Sequence, residues 1–249
     1  MNKKNVIKKI NSLVLEGIAH RGLHNKELTE NGLAAFTKAI NENFAFELDV
    51  HLTKDGKLLV CHDEELLRTT GKEGIIEELT LQDIQTNYHL LDGEKIPSFE
   101  EVLALTQEKV PIVVEMKVYK GNFEPLAKEL KKELSIIQDK KNIIIISFDP
   151  RALLSMKDEG FIRLLLVSTD KKHRWTYRLR GLFEGLDLDY LFMKDKKVQR
   201  YAKKHFINVW TIDNKEKFEE VYPYVDTITF ENMDEENIRN SMRKKKDVD

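Results

Sequence analysis

Cysteine is almost absent from this chain: Cys61 is alone among 249 residues. A lone thiol excludes an internal disulfide and a cysteine-built metal cluster, and it suits a reducing compartment. Glycine and proline are scarce, at 11 and 5, which speaks against a disordered or low-complexity chain. Neither sign of charge dominates, because 41 Lys and Arg stand against 43 Asp and Glu for a net of −2. Nucleic acid is therefore not expected as the main partner. Long apolar runs are missing as well. Between Met1 and Gly17, the polar residues Asn11, Ser12 and Glu16 cut any apolar stretch short of a signal-peptide core. No later window approaches the ~18 apolar residues of a membrane span. A cytoplasmic protein is the expectation. What the chain does have is 41% hydrophobic and 34% charged residues, the balance of a helix-rich globular protein. Its length suits two small domains or one α/β barrel of ~250 residues.

The stretch Phe46-Glu47-Leu48-Asp49-Val50-His51-Leu52 organises the rest. Side chains alternate faces along a strand, so Glu47, Asp49 and His51 share one face and Phe46, Leu48, Val50 and Leu52 the other. Two carboxylates on one face of an otherwise apolar strand repel each other if buried, unless a cation or hydrogen-bond donors neutralise them. A metal ion answers that need; an edge strand with its polar face in water is the competing reading.

The chain alternates strand and helix patterns without an evident linker. After an amphipathic first helix (Val6, Ile10, Leu13, Val14), strands are expected around Ile18, Phe46, Ile112, Ile143, Ile162, Leu191, Val209 and Ile228, with helical periodicity between them. Asp55-Gly56 between two strand-like runs signals a hairpin that folds His62 back towards Glu47 and Asp49. A polar excursion of about residues 64–95 follows it. Near-continuous apolar strands alternating with helices imply a parallel sheet covered on both sides. Eight of them point to a single (β/α)8 TIM barrel over residues 1–249, with a small insertion after the second strand. An open doubly wound sheet is disfavoured, because no glycine-rich phosphate fingerprint follows any strand.

Such a barrel places its active site at the C-terminal strand ends. His20 and Arg21 end the first strand, Glu47 and Asp49 lie late in the second, Glu115 and Lys117 end the third, and Trp210 lies on the seventh. Glu47, Asp49 and Glu115 make an all-oxygen site suited to one hard divalent cation, Mg²⁺ or Ca²⁺, rather than zinc. With Arg21 and Lys117 beside it, the pocket favours an anion such as a phosphate ester.

At these positions the sequence resembles the glycerophosphodiester phosphodiesterases. The resemblance rests on His20-Arg21-Gly22, Glu30-Asn31, Glu47-Leu48-Asp49-Val50, Asp55-Gly56, His62-Asp63, Leu67-Arg68-Thr69-Thr70, Ile96-Pro97-Ser98-Phe99, Glu115-Met116-Lys117, Ser147-Phe148-Asp149-Pro150 and Trp210-Thr211-Ile212-Asp213. It spans nearly the whole chain. It implies a (β/α)8 barrel that uses a divalent cation to cleave a small-molecule glycerophosphodiester to an alcohol and glycerol 3-phosphate. His20 and His62 match the family's catalytic histidines, and Glu47, Asp49 and Glu115 match its metal carboxylates. Arg21 and Lys117 match phosphate contacts, and Trp210 an aromatic residue near the glycerol. The chain departs from the pattern at Leu28-Thr29, where relatives carry a proline, after residues 162–168, and at Ile228-Thr229-Phe230-Glu231 in place of a Thr-Asp ending. The alternatives are a phospholipase C- or D-like lipid phosphodiesterase on the same barrel, or a barrel that only binds phosphoesters.

The other histidines, His24, His51, His89, His173 and His205, are expected to be surface or packing residues, with His51 the one to watch. Asp63 is not expected to orient His62, because neighbours on a strand face opposite ways. The basic, aromatic run 171–180 is a solvated face or a weak contact for an anionic membrane surface. Arg243-Lys244-Lys245-Lys246 reads as a frayed tail.

Overall fold

The computed structural model describes residues 1–246. Nine strands form one sheet: β1 (Ile18–Ala19), β2 (Ala45–Leu52), β3 (Leu58–Val60), β4 (Ile112–Met116), β5 (Ile143–Ser147), β6 (Ile162–Val167), β7 (Gly185–Asp189), β8 (Phe206–Ile212) and β9 (Thr227–Phe230). All but β3 run parallel in the order β1-β9-β8-β7-β6-β5-β4-β2, and a further β1–β2 pairing closes the circle. The expected eight-stranded parallel barrel is thus formed. The extra strand, β3, is the returning arm of the Asp55-Gly56 hairpin, antiparallel to β2 with Val50 opposite Val60.

One strand lies elsewhere than expected. The apolar run Tyr190–Met193 belongs to a 3₁₀ turn, Tyr190–Lys194, and the strand is the preceding Gly-Leu-Asp-Leu-Asp of β7. Leu186 and Leu188 face the helices, so the inward positions are Gly185, Asp187 and Asp189, whose acidity disguises the strand. Glycine is required at 185. A Cβ there would lie 2.7 Å from the Phe206 carbonyl oxygen and 2.9 Å from a Leu164 methyl.

Alternation of side chains sorts the core into two layers. Phe46, Leu48, Val50, Val114, Ile145, Leu186 and Val209 face outwards to the helices. Ile18, Ala45, Val113, Ile144, Ile162, Leu164 and Phe206 fill the barrel interior. At its N-terminal end, Val6, Ile10, Val14 and Leu15 pack onto that cluster and seal it. The expected first helix supplies this plug in two pieces, Lys3–Ile7 and a 3₁₀ turn Ser12–Glu16, each opened by an asparagine whose side chain accepts a backbone N–H.

Within 64–95, a four-residue helix (Leu67–Thr70) and a helix capped by Thr80 and Asp83 (Leu81–Asn87) enclose a small core of Leu59, Cys61, Leu66, Ile76, Ile84, Tyr88, Leu90 and Ile96. The excursion is tied to β2 by His51, buried, with Nδ1 2.6 Å from Glu77 Oε1. The basic stretch at the C-terminal end is not a frayed tail through its described length. The helix Glu235–Lys246 buries Ile238 and Met242, Arg243 donates to Glu16, and Lys245 donates to the carbonyls of Tyr222 and Val225.

Candidate active site

The inward positions change character at the C-terminal end of the barrel. On β2 they run Ala45, Glu47, Asp49, His51, and on β4 they run Val113 and Glu115, with Lys117 just beyond. Asp49 is directly beside Glu115 in the register. One carboxylate oxygen from each of Glu47, Asp49 and Glu115 lies within 4.8 Å of the others, and all three side chains are buried. The edge-strand reading is excluded by that burial.

Two cations balance the three acids. Lys117 Nζ is 3.0 Å from Glu115 Oε1 and 3.5 Å from Asp49 Oδ1, and Arg21 Nε is 3.5 Å from Asp49 Oδ2. Burial pushes the Glu47 carboxyl well above the ordinary range, with the Asp49 charge adding to it. Burial likewise pushes Glu115 up to about 7, against the pull of Lys117. Asp49 resists the same burial, because Lys117 and Arg21 hold it well below the usual carboxylate range. Lys117 is itself held above the ordinary ammonium value, burial being outweighed by Glu115 and Asp49. Among the described residues Asp49 Oδ1 accepts no hydrogen bond. A converging all-oxygen donor set, one of whose buried oxygens lacks a donor, fits a hard divalent cation.

Backbone conformation brings the loop residues in. Arg21 and Asn31 both adopt left-handed φ, 52° and 58°, a region that asparagine tolerates but that is costly for a long side chain such as arginine. The acid cluster holds both there. Arg21 N–H donates to Glu47 Oε2 at 3.1 Å, and Asn31 Nδ2 donates to Asp49 Oδ2 at 3.0 Å. Gly22, at φ 83°, lets the loop pass over Ala35, where a Cβ would meet the Ala35 backbone at 2.9 Å. Arg21 Nη1 also binds Glu30, which with Asp63 holds Arg68.

The histidines share one arrangement. His20 Nδ1 lies 2.6 Å from Glu231 Oε2, and His62 Nδ1 lies 2.6 Å from Asp63 Oδ1. The expectation for Asp63 is corrected: β3 ends at Val60, so His62 and Asp63 lie in a turn, where neighbours need not face apart. His51 accounts for the other side of His62, its Nε2 3.2 Å from the His62 carbonyl. Burial lowers both catalytic candidates, His62 to about 4, although Asp49 opposes the shift there and Glu231 opposes it at His20.

A cavity of about 90 Å³ at the barrel mouth is lined by His20, Arg21, Glu47, His62, Glu115, Phe148, Asp187, Trp210 and Thr229. Trp210 packs edge-on against Phe148, centroids 5.7 Å apart, and its buried indole Nε1 has no partner among the described residues. Asp187, Asn208 and Thr229 form a hydrogen-bonded polar layer on the same interior. From His62, Glu115 and Phe148 a larger cleft of about 1140 Å³ opens outwards, past Lys117 and Arg68 to Lys172, His173 and Trp175.

All eight site residues expected from sequence therefore converge at the C-terminal strand ends. Sequence reasoning does not mark Glu231, Asn31 and Asp63, which the fold brings against His20, Asp49 and His62. Glu231 carries a positional signal, as the first residue after β9. His24, expected at the surface or in packing, lies 3.4 Å from Glu231 Oε2. His173 leans on Phe148 at the cleft, while His89 is exposed and His205 stacks on Tyr201.

Comparison with known proteins gives a consistent result. The profile of the glycerophosphoryl diester phosphodiesterase family matches residues 20–235. A glycerophosphodiester phosphodiesterase of Caldanaerobacter subterraneus subsp. tengcongensis is 34% identical over 222 residues, 81% of this chain and 87% of its own. Among solved structures, a Thermotoga maritima glycerophosphodiester phosphodiesterase superposes with a TM-score of 0.71 at 25% identity, covering 92% of this chain and 96% of its own. An Oleispira antarctica phosphodiesterase in complex with the product sn-glycerol 3-phosphate shares the fold, with a TM-score of 0.77 at 24% identity over 91% of this chain and 96% of that one.

Proposed function

The chain belongs to the glycerophosphoryl diester phosphodiesterase family and is an enzyme of that kind, and from that premise we propose that it hydrolyses glycerophosphodiesters to an alcohol and glycerol 3-phosphate in a cation-dependent reaction catalysed by His20 and His62. The observation that carries this reading is the convergence of three buried carboxylates within 4.8 Å, flanked by Arg21 and Lys117, on a cavity that both histidines line. Glu47, Asp49 and Glu115 would hold one Mg²⁺ or Ca²⁺. Such an ion supplies Lewis-acid stabilisation of the charge that develops on the phosphoryl oxygens.

The chain's own groups do the rest. Arg21 and Lys117 orient the phosphodiester anion, and the unpartnered Trp210 indole N–H is available to the substrate's glycerol. A carboxylate on each Nδ1 holds the proton there and leaves each Nε2 to the substrate. One imidazole, neutral, takes at Nε2 the proton of the attacking hydroxyl, from water or from the glycerol itself, while the other enters the step as an imidazolium and gives its Nε2 proton to the departing alkoxide. Glu231 and Asp63 stabilise the imidazolium as it forms. General acid–base roles of this type are worth ~10² to 10⁴ in rate each.

The test is release of glycerol 3-phosphate from glycerophosphocholine and glycerophosphoethanolamine by metal-stripped protein, with Mg²⁺ or Ca²⁺ restored, beside His20→Ala. Activity that returns with the cation and vanishes in the variant supports the proposal. Inactivity on both substrates with either cation contradicts it and favours a lipid substrate or a binding role.

For the partner surface we propose a weak contact with anionic membrane. Trp175 is 56% exposed amid Lys171, Lys172, Arg174 and Arg178, beside the outer end of the cleft. Cationic groups around an exposed aromatic suit the interfacial zone of an anionic bilayer. Changing Lys171, Lys172 and Arg174 together to Ser should weaken binding to phosphatidylserine vesicles; unchanged binding removes the contact.

A further inference from the structure

We propose that His20, His24 and Glu231 form a second cation site, distinct from the three carboxylates, which takes a zinc-class transition ion and in doing so disarms His20. Its existence stands apart from the proposed reaction; only its inhibitory consequence rests on the role given to His20.

The donors are already gathered. His20 Nδ1, His24 Nε2 and a Glu231 oxygen lie within 4.8 Å of one another, and both imidazoles address the same oxygen, Oε2, at 2.6 and 3.4 Å. Donors bound to one tetrahedral ion at 2.0–2.1 Å stand about 3.3 Å apart, so occupation needs only a small adjustment. His24 Nε2 is a buried atom with no hydrogen bond among the described residues. With the ring hydrogen on Nδ1, that nitrogen presents a lone pair beside the Glu231 carboxylate and can serve as a ligand. The loop that presents the two imidazoles is fixed by Gly22 and by the Leu23 N–H, which donates to the Ala35 carbonyl at 3.1 Å. Glu231 is fixed by its own N–H, which donates to the Ile212 carbonyl at 3.1 Å.

Donor chemistry separates the two sites. Glu47, Asp49 and Glu115 offer oxygen only, which suits Mg²⁺ or Ca²⁺. Two imidazoles and a carboxylate favour Zn²⁺, Cu²⁺ or Ni²⁺ by donor softness and by the general affinity order of divalent ions. Access is separate too. His24 lines an outer cavity of about 280 Å³ with Glu30 and Arg68, whereas His20 lines the catalytic mouth.

Binding has a defined chemical consequence. The ion takes the Nδ1 lone pair of His20, and the hydrogen that Glu231 held on Nδ1 moves to Nε2, so the neutral ring changes tautomer. With its one hydrogen on Nε2, the imidazole has no lone pair there and cannot accept a proton from the attacking hydroxyl.

The test uses the full chain with Mg²⁺ in excess and Zn²⁺ titrated in, read by equilibrium dialysis and by activity. The expected wild-type result is one zinc per chain bound without loss of the Mg²⁺ requirement, with activity lost as zinc binds. His24→Ala and His24→Gln should keep their zinc-free activity, lose the bound zinc, and need at least about 10-fold more zinc for half-inhibition. Asp49→Asn should still bind zinc, which keeps the measurement informative if no diester is hydrolysed. Zinc binding or inhibition that is unchanged in both His24 variants would overturn the proposal, as would absence of bound zinc in the Mg²⁺-saturated wild type.

Discussion

The two ends of the barrel interior follow one alternation and reach opposite outcomes. At the N-terminal end the inward positions are Ile18, Ala45, Val113, Ile144, Ile162 and Phe206, sealed by Val6, Ile10, Val14 and Leu15. At the C-terminal end the same sheet presents His20, Glu47, Asp49, Glu115, Phe148 and Trp210. The first end is apolar and closely packed, and it stabilises the fold through area removed from water. At the second, buried like charges stand close together and two loop residues take left-handed backbone angles, a local cost offset by packing elsewhere. Stability and chemistry are separated along the barrel axis by a few ångströms.

Substitutions at the two ends should accordingly give opposite signatures. The largest effect on catalysis is expected from Asp49→Asn. Steady-state kinetics should show kcat lower by at least about 10²- to 10³-fold, the scale of losing one preorganised electrostatic contact. Calorimetry of the metal-free Glu47→Gln variant should show a thermal midpoint equal to or above that of wild type, because burial and the Asp49 charge disfavour the Glu47 carboxylate that it removes. Phe206→Ala, at the apolar end, is expected to cost about 3–5 kcal/mol in denaturant unfolding, with kcat of the folded fraction unchanged. A large kcat loss in that variant would show that the two ends are not separable.

A smaller effect tests how far the charged end depends on supports around the reacting groups. Asp63→Asn removes the carboxylate on His62 Nδ1, and loss of a group that orients a functional imidazole costs about 10- to 100-fold. The hydrogen bond raises the His62 pKa against burial. Its loss should therefore move the limb of the kcat/KM profile that His62 controls to lower pH, the acidic limb when His62 is the base and the alkaline limb when it is the acid. A fall in rate with no movement of that limb would make Asp63 a purely structural partner.

The comparison also explains what the sequence disclosed. The outward apolar faces and the Asp55-Gly56 hairpin follow from local rules, so the barrel and an amphipathic first helix are legible, while the plug that this helix forms emerges only from the fold. Glu47 and Asp49 announced the site because carboxylates interrupt an apolar strand. The same signal conceals β7, where inward Gly185 and Asp187 break the apolar pattern and the following run Tyr190–Met193 is the more apolar. Residues that reach the site from other elements, such as Asn31 and Glu231, have no periodicity to mark them. Their roles depend on loop backbone angles and on closure of the barrel between β1 and β9, which bring residues 20 and 231 together from opposite ends of the chain. Asp63 is hidden because a strand read through to it ends in fact at Val60, three residues earlier.

The central claim is that the charged end is an anion cage completed by a divalent cation. The direct measurement is the rise in thermal midpoint when Mg²⁺ or Ca²⁺ is added to metal-stripped protein at pH 5.5 and at pH 8. In the folded protein Glu115 holds its proton up to about 7, so below that pH the cation must displace a proton, and its apparent affinity falls about tenfold per unit. The sign is fixed: stabilisation by the cation is small at the acid pH, grows through about 7, and is absent in Asp49→Asn. A cation-induced shift that is equal at both pH values, or one that survives in Asp49→Asn, would contradict the account.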